Sequence, residues 1–329
     1  MSINESTRRS WLKHVIGGSV VLVSHTAGAA QSKYPYKTIR VVVPYAPGGG
    51  TDVVGRTLLQ NMAIQLGQPI FIDNRPGGGT VIGTDVVARA EPDGHTLLIT
   101  TNAIAINDSL VKKLPYNTLQ DLVPVGRICT GPNVIVVRAD SPFKTLDDII
   151  QASRKKPGSL SYASSGNGTA VHLAAELLKV TAKIRILHIP YRGAGPAYTD
   201  LLGGQVDLLV GTAGGVYKFV QTGRMRAIAV TSASRSPAYP GVPAVSETLP
   251  GYSANVWYAM FAPKGTPNEI LNTLNGAMRL AVNVPSYSAD LERDGLTAAV
   301  NSPSEMAAFM RSEVERWQKV VAEAGIKLD

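Results

Sequence analysis

VVVPYAPGGGTDVVGR (41–56) and FIDNRPGGGTVIGTDVV (71–87) carry the same five residues, PGGGT, at Pro47–Thr51 and Pro76–Thr80. In each, a β-branched run leads into the glycines and a helix-compatible segment follows. Three glycines in a row are costly to order, so something must need the bare backbone. Working outward, TIRVVV (38–43) reads as a buried strand and 52–66 as a helix ending near Gly67. PIFID (69–73) is the next strand, Thr80 to about Ala90 a helix, and HTLLITT (95–101) a third strand. This βαβαβ rhythm predicts an α/β fold with a mostly parallel sheet and helices on both faces.

VPVGRICT and NVIVVRA, within 123–139, are strands that run close together and read as a crossover. A second βα series follows. Helices are expected at 145–155, 168–180 and near 196–202, and strands at 159–165, 183–191, 205–211 and 226–232. The Pro- and Ser-rich stretch 235–250 reads as an ordered surface loop, and YSANVWYAMFAP (252–263) as a strand pair or one long strand. Two or three helices close the chain, the last from about Pro303 to Ala324 behind an N-capping Ser302. The simplest architecture has two lobes, each a mixed sheet flanked by helices. Lobe I takes 34–131 and 255–329, lobe II takes 132–254, and two hinge crossings lie near 131–134 and 252–256. A cleft then opens at the carboxyl ends of the strands, where open α/β sheets bind ligands.

At 329 residues the chain suggests two domains. With 44% apolar and only 17% charged residues it is neither disordered nor built on basic patches for nucleic acid. Residues 1–30 read as an export signal: basic STRRSWLK, the short apolar run VIGGSVVLV, then small residues around Ala27–Ala30. The run is too short to span a bilayer. Adjacent Arg8 and Arg9 suggest a twin-arginine address, with an ordinary secretory signal as the alternative. Either places the mature protein outside the cytoplasm. Arg8, Arg9 and Lys13 against Glu5 lie in this segment, so 32 basic and 24 acidic residues become 29 and 23, a charge of +6. Such a mild field suits small anions among other ligands. Cys129 is the only cysteine, and the histidines show no zinc-hydrolase spacing, so no disulfide, metal or cofactor is expected.

The glycine loops fail as nucleotide motifs. A phosphate loop needs lysine after its last glycine, but Thr51 and Thr80 stand there. A dinucleotide turn needs G-x-G-x-x-G, but Val53 and Ile82 occupy the third glycine position. What survives is a concavity of backbone N–H groups at a helix start, suited to a carboxylate. Thr51 and Thr80 either cap these helices or donate to the ligand. Asp52 and Asp85 fall in first turns, where an acid is favoured anyway. YASSGNGTAVHLA (162–174) repeats the device with Ser164, Ser165, Asn167 and Thr169. Neither serine fits G-x-S-x-G, and no nucleophile–base pair emerges from these motifs. His172, one turn further on, either orients this loop or fills the core. Tyr191 and Arg192 supply a third loop and GTAGGV (211–216) a fourth. One of Trp257 and Tyr258 should face the cleft if the strand alternates.

Together these motifs resemble the Bug-type extracytoplasmic solute receptors of tripartite tricarboxylate transporters. The matching stretches include the two PGGGT segments, LPYNTLQDLVPVGRI (114–128), SLSYASSGNGTAVHLAAELL (159–178), HIPYRGAGPAYTDLLGGQVDLL (188–209), GRMRAIAVTSASRSPAYPGVPAVSE (223–247) and WYAMFAPKGTP (257–267). They fall in order across about 36–325. The resemblance implies a type II-like, two-lobed periplasmic binding protein that closes on a small carboxylate. It would act as a monomer without cofactor or catalysis and deliver the ligand to membrane transporter subunits. A ligand-presenting sensor would use the same cleft, and an exported hydrolase is the remote alternative. Ligand contacts implied by the matched motifs are Tyr45, Ala46, Gly48, Gly49, Gly50, Thr51 and Asp52 in the first loop. Gly78, Gly79 and Thr80 follow in the second, then Ser164, Ser165, Asn167 and Thr169, with Tyr191, Arg192, Thr212, Ala213 and Trp257. The chain departs from the family pattern at Gly77–Thr80, where Gly-Ala-Gly-Gly is usual, and at Gly211–Ala213, where Asp-Asn is frequent. Without that acid an ammonium group fits poorly. The expectation is therefore a dicarboxylate or, with Tyr45, Tyr191 and Trp257, an aromatic carboxylate.

Overall fold

The computed structural model describes residues 34–324; the export signal expected over 1–30 lies outside the described residues. The chain begins with β1 (Ile39–Val43), α1 (Gly50–Leu66), β2 (Ile70–Asn74), α2 (Val81–Ala88), β3 (Thr96–Thr101), α3 (Ala103–Leu110) and β4 (Leu122–Gly131). It crosses through Pro132 into β5 (Asn133–Arg138), α4 (Leu146–Lys155), β6 (Ser161–Ser164), α5 (Ala170–Ala182), β7 (Leu187–Pro190) and α6 (Ala194–Leu202). Next come β8 (Leu208–Thr212), α7 (Ala213–Gln221), β9 (Met225–Val230) and the single turn α8 (Val245–Thr248). The return crossing leads to β10 (Val256–Pro263), α9 (Asn268–Val282), α10 (Pro285–Arg293), β11 (Thr297–Ala298) and α11 (Pro303–Ala324).

These strands form two mixed sheets, in the orders β11-β4-β10-β3-β1-β2 and β7-β6-β8-β5-β9. The first is parallel only across β1, β2 and β3; β10 runs antiparallel to β3 and β4. The second is parallel at β6 with β7 and β8, and antiparallel where β5 meets β8 and β9. Two lobes, each a mixed sheet flanked by helices, are thus as expected: the βα units pair in parallel, and the antiparallel pairs lie at the strands beside the crossings, which enter from the other sheet. The crossings are tied together by side chains. Asn133 Nδ2 and Thr231 Oγ1 both donate to Ala254 O, at 2.9 and 2.8 Å, and Asn133 N donates to Thr231 Oγ1 at 2.8 Å.

Each sheet is covered on both faces, as alternation requires. Ile39, Val41 and Val43 of β1 point with Leu97 and Ile99 toward α1 and α9, while Val42 and Leu98 join the layer under α3 and α11. In the second sheet Ile135, Val137, Leu208 and Val210 face the α5 side, and Val134, Val136 and Leu209 face α6 and α7. Cys129 is a fully buried free thiol in the first core.

The strand expected over 183–191 is shorter because α5 runs on to Ala182 and Lys183 ends it in the left-handed region at φ 53°. Sequence reading missed α3, and it missed β11, whose two residues are too short to show a period.

Candidate functional site

The carboxyl ends of β1, β3, β6, β7 and β8 meet in a cleft with two connected chambers. The inner chamber, about 30 Å³, is lined by Gly49, Gly50 and Thr51 of one sheet's helix, and by Thr169, Val171, Ala194, Tyr198, Leu209 and Thr212 of the other's. The outer chamber, about 390 Å³, is bounded by Gly77–Thr80 on one side and by Ser165, Asn167, Tyr191 and Arg192 on the other. Tyr45, Ser165 and Thr169 line both. The inner volume has room for one or two waters, or for a ligand's terminal group.

Among the described residues, no lysine or arginine lines the inner chamber. Its polarity comes from helix starts. Gly49, Gly193 and Thr212 stand at the N-caps of α1, α6 and α7, and none of the three helices has a side-chain cap bond. Gly49, Gly50, Ala194 and Thr212 line the chamber, so the starts of all three helices, with their positive dipole ends, border it. Thr169, by contrast, caps α5: its Oγ1 accepts from His172 N at 3.4 Å and donates to Gly166 O at 2.7 Å. Thr51 lies inside α1, and Thr80 stands at the N-cap of α2 without a side-chain cap bond, so of the two roles open to these hydroxyls neither takes that of a cap. Thr80 Oγ1 instead accepts from Asn107 Nδ2 at 3.1 Å.

The glycines answer a steric demand across the cleft. A Cβ on Gly50 would strike the Thr212 hydroxyl, and one on Gly79, at φ 61°, would strike Asn167 O on the facing loop. Asn107 holds this second loop by donating to Gly79 O at 2.7 Å. Only glycine lets the loops of the two sheets approach so closely.

Six of the expected contacts are placed elsewhere. Asp52 is buried and organises the first loop instead of lining either chamber. Its carboxylate accepts from Gly48 N at 3.0 Å, from Arg56 at 2.8 and 2.9 Å, and from Asn74 Nδ2 at 3.1 Å. Burial pushes its pKa up, but Arg56, Gly48 N–H and Asn74 together outweigh this and hold it below the ordinary carboxylate value. Gly48 serves that same bond, and Ala46 abuts Gly193. Ala213 is buried, its N–H donating to Pro132 O and its carbonyl accepting from Tyr239. Ser164 points away from the cleft, within 2.7 Å of His188 Nε2. That is the serine–histidine pair sequence reading could not assemble. The hydroxyl is wholly buried, also bonds Gly166, and lines neither chamber, so a substrate has no path to it.

Trp257 lines neither chamber. Alternation along β10 sends Tyr258 toward α1 and Trp257 into the opposite layer, edge-on to Phe309, with its indole N–H donating to Glu313 Oε2 at 2.8 Å. Trp257→Phe should lower stability by about 1–2 kcal/mol, because a buried carboxylate loses a donor. Ligand affinity should stay within about twofold in the same preparation; a larger loss in calorimetric titration would return Trp257 to the site.

Sequence reading also missed residues that the fold brings in. Thr101, at the carboxyl end of β3, is hydrogen-bonded to Tyr45 Oη at 2.8 Å, and burial pushes the Tyr45 phenol up to about 12. Tyr198 shares a helical face with Ala194 and Ala197, a spacing of three and four that was readable in GAGPAYTDLL.

The family described as tripartite tricarboxylate transporter family receptor matches residues 54–326. Protein BugT of Bordetella pertussis is 36% identical over 317 residues, covering 95% of this chain and 97% of its own. Two solved structures from Rhodopseudomonas palustris, each 32% identical, share the fold. Rpa4515 with adipate has a TM-score of 0.86 over 89% of this chain and 99% of its own. MatC with bound malate has a TM-score of 0.83 over 88% and 100%.

Proposed function

The chain belongs to the tripartite tricarboxylate transporter receptor family, solute-binding proteins of the periplasmic type, and from that premise we propose that it captures a small aliphatic dicarboxylate by closing its two lobes. It then hands the ligand to the membrane subunits of a tripartite transporter and performs no chemistry on it. The observation that carries the reading is the convergence of uncapped helix N-termini on a chamber without a cation. Preorganised N–H donors and dipole ends hold a carboxylate without the desolvation cost of a buried arginine.

Closure follows from the same geometry. The starts of α1 and α7 come from different sheets, and a Cβ built on Gly215 would lie 3.5 Å from Gly50 N. Two positive dipole ends brought together repel unless an anion sits between them. The closed form is therefore favoured when a carboxylate is present, as ligand-driven domain closure requires. The aliphatic class is preferred over the aromatic one because Trp257 lies in the core and the hydroxyls of Tyr45 and Tyr191 are engaged, the latter with Asp200 at 2.6 Å. The adipate and malate of the related structures agree with this choice.

A thermal-shift screen against mono-, di- and tricarboxylates, aromatic acids, sugars and cations tests the reading. A dicarboxylate at 100 times its dissociation constant should stabilise the protein by about 2.7 kcal/mol. Shifts with sugars or cations and none with any carboxylate would refute it.

A further inference from the structure

The inner chamber ends on a hydroxyl with no partner among the described residues. Tyr198 is 5% exposed, lines the chamber, and its Oη makes no hydrogen bond to any of them. A Cβ on Gly215 would strike that hydroxyl and lie 2.8 Å from Thr212 Oγ1 and 3.5 Å from Gly50 N. The Tyr198 and Thr212 hydroxyls therefore border one small space with Gly50 N at the start of α1 and Gly215 in the first turn of α7. Behind Thr212, the Tyr258 hydroxyl is also buried and makes no hydrogen bond of good geometry. A buried hydroxyl left unpaired is destabilising, and a packed core would favour phenylalanine at 198. Val171, Ala194, Ala197, Leu209 and Val210 make the apolar walls, and the remaining side-chain polarity comes from the hydroxyls of Tyr45, Thr51, Thr101, Ser165 and Thr169, with no carboxylate among the lining residues.

We infer that Tyr198 is a specificity-determining residue, its hydroxyl donating, beside that of Thr212, to one carboxylate end of the ligand in the inner chamber. The inference rests on the carboxylate reading above and adds to it which end of the cleft takes the anionic head and which side chains read it. Burial pushes the Tyr198 phenol well above its usual pKa, so it stays a neutral donor throughout the physiological range. The chamber's small volume admits a carboxylate but not a ring. The remainder of the ligand then extends past Tyr45, Ser165 and Thr169 into the outer chamber.

Tyr198→Phe removes the hydroxyl and keeps the ring, and Thr212→Val does the same for the neighbouring group. Calorimetric titration of succinate and adipate into wild type and both variants, with the melting temperature of each ligand-free protein, tests the inference. Hydrogen bonds to charged groups predict a loss of about tenfold to a hundredfold in affinity for Tyr198→Phe. Its ligand-free melting temperature should be unchanged or higher, since no native bond is lost, whereas a structural tyrosine would lower it. Thr212→Val should weaken the same ligands. Affinity within twofold of wild type in Tyr198→Phe, or a lowered ligand-free melting temperature that accounts for the loss, overturns the inference. Binding of no carboxylate by wild type defeats instead the reading on which it rests.

Discussion

Gly50→Ala is expected to abolish ligand binding while leaving the ligand-free protein as stable as wild type, or more so. Gly50 opens α1, where alanine is the better helix former by up to about 1 kcal/mol. Within its own lobe the added methyl would lie 3.0 Å from the Tyr258 hydroxyl, a contact one side chain can relieve. Across the cleft it would strike the Thr212 hydroxyl and crowd Thr212 Cβ at 3.1 Å. Threonine is stiff at χ1 and sits at the end of β8, so the lobes must stay apart. Losing the closed form removes the contacts made by the second lobe, and a fall in affinity of more than about a hundredfold follows. Circular dichroism melts and calorimetric titration of the same sample separate the two effects. Parallel losses of stability and binding would mean that Gly50 serves the fold alone.

The second large effect is one of pH. His172 is 3% exposed, stacked on His188 at 4.3 Å, and its Nδ1 accepts from Gly168 N at 3.2 Å. The proton of the neutral ring is therefore on Nε2, 3.9 Å from Glu176. That carboxylate is already engaged by Tyr162 at 2.6 Å and Lys179 at 2.7 Å. Burial lowers the His172 pKa to about 4, and the charge of Lys179 pushes the same way. With a folded value near 4 and an unfolded value near 6.5, the unfolded chain takes up its proton first. The stability is complete above about pH 6.5 and is lost as pH falls toward 4, by about 3 kcal/mol. Protonation at Nδ1 also breaks the bond to Gly168, so the 164–169 loop loosens and affinity falls over the same window. Urea midpoints between pH 7 and 4 should slope steeply in wild type and less in His172→Gln. Equal slopes would remove His172 as the cause.

Much of this was legible in the chain. The βα alternation shows because each strand is a short β-branched run and each helix repeats its apolar face. The glycine loops were readable because no other residue gives so many N–H groups in a tight turn. The twofold period of β10 established that Trp257 and Tyr258 part company, but a period carries no information on which face meets the cleft. That was decided by Glu313, Phe309 and the packing of α11, more than fifty residues away. Asp52 could have been assigned to the loop from sequence, since Arg56 stands four residues on. Ser164 could not, because its partner His188 comes from the neighbouring strand. Segment 103–110 went unread because its apolar residues are continuous enough to blur the helical period, yet Asn107 on it holds the second glycine loop.

If donors of the backbone, brought together by closure, hold a carboxylate, isothermal titration of succinate and adipate into wild type and Gly50→Ala side by side should show it. A dicarboxylate should bind wild type one to one, and its affinity for the variant should fall by more than about a hundredfold. Binding of equal strength to both, or to neither while a sugar or a cation binds, would rule this mode of binding out.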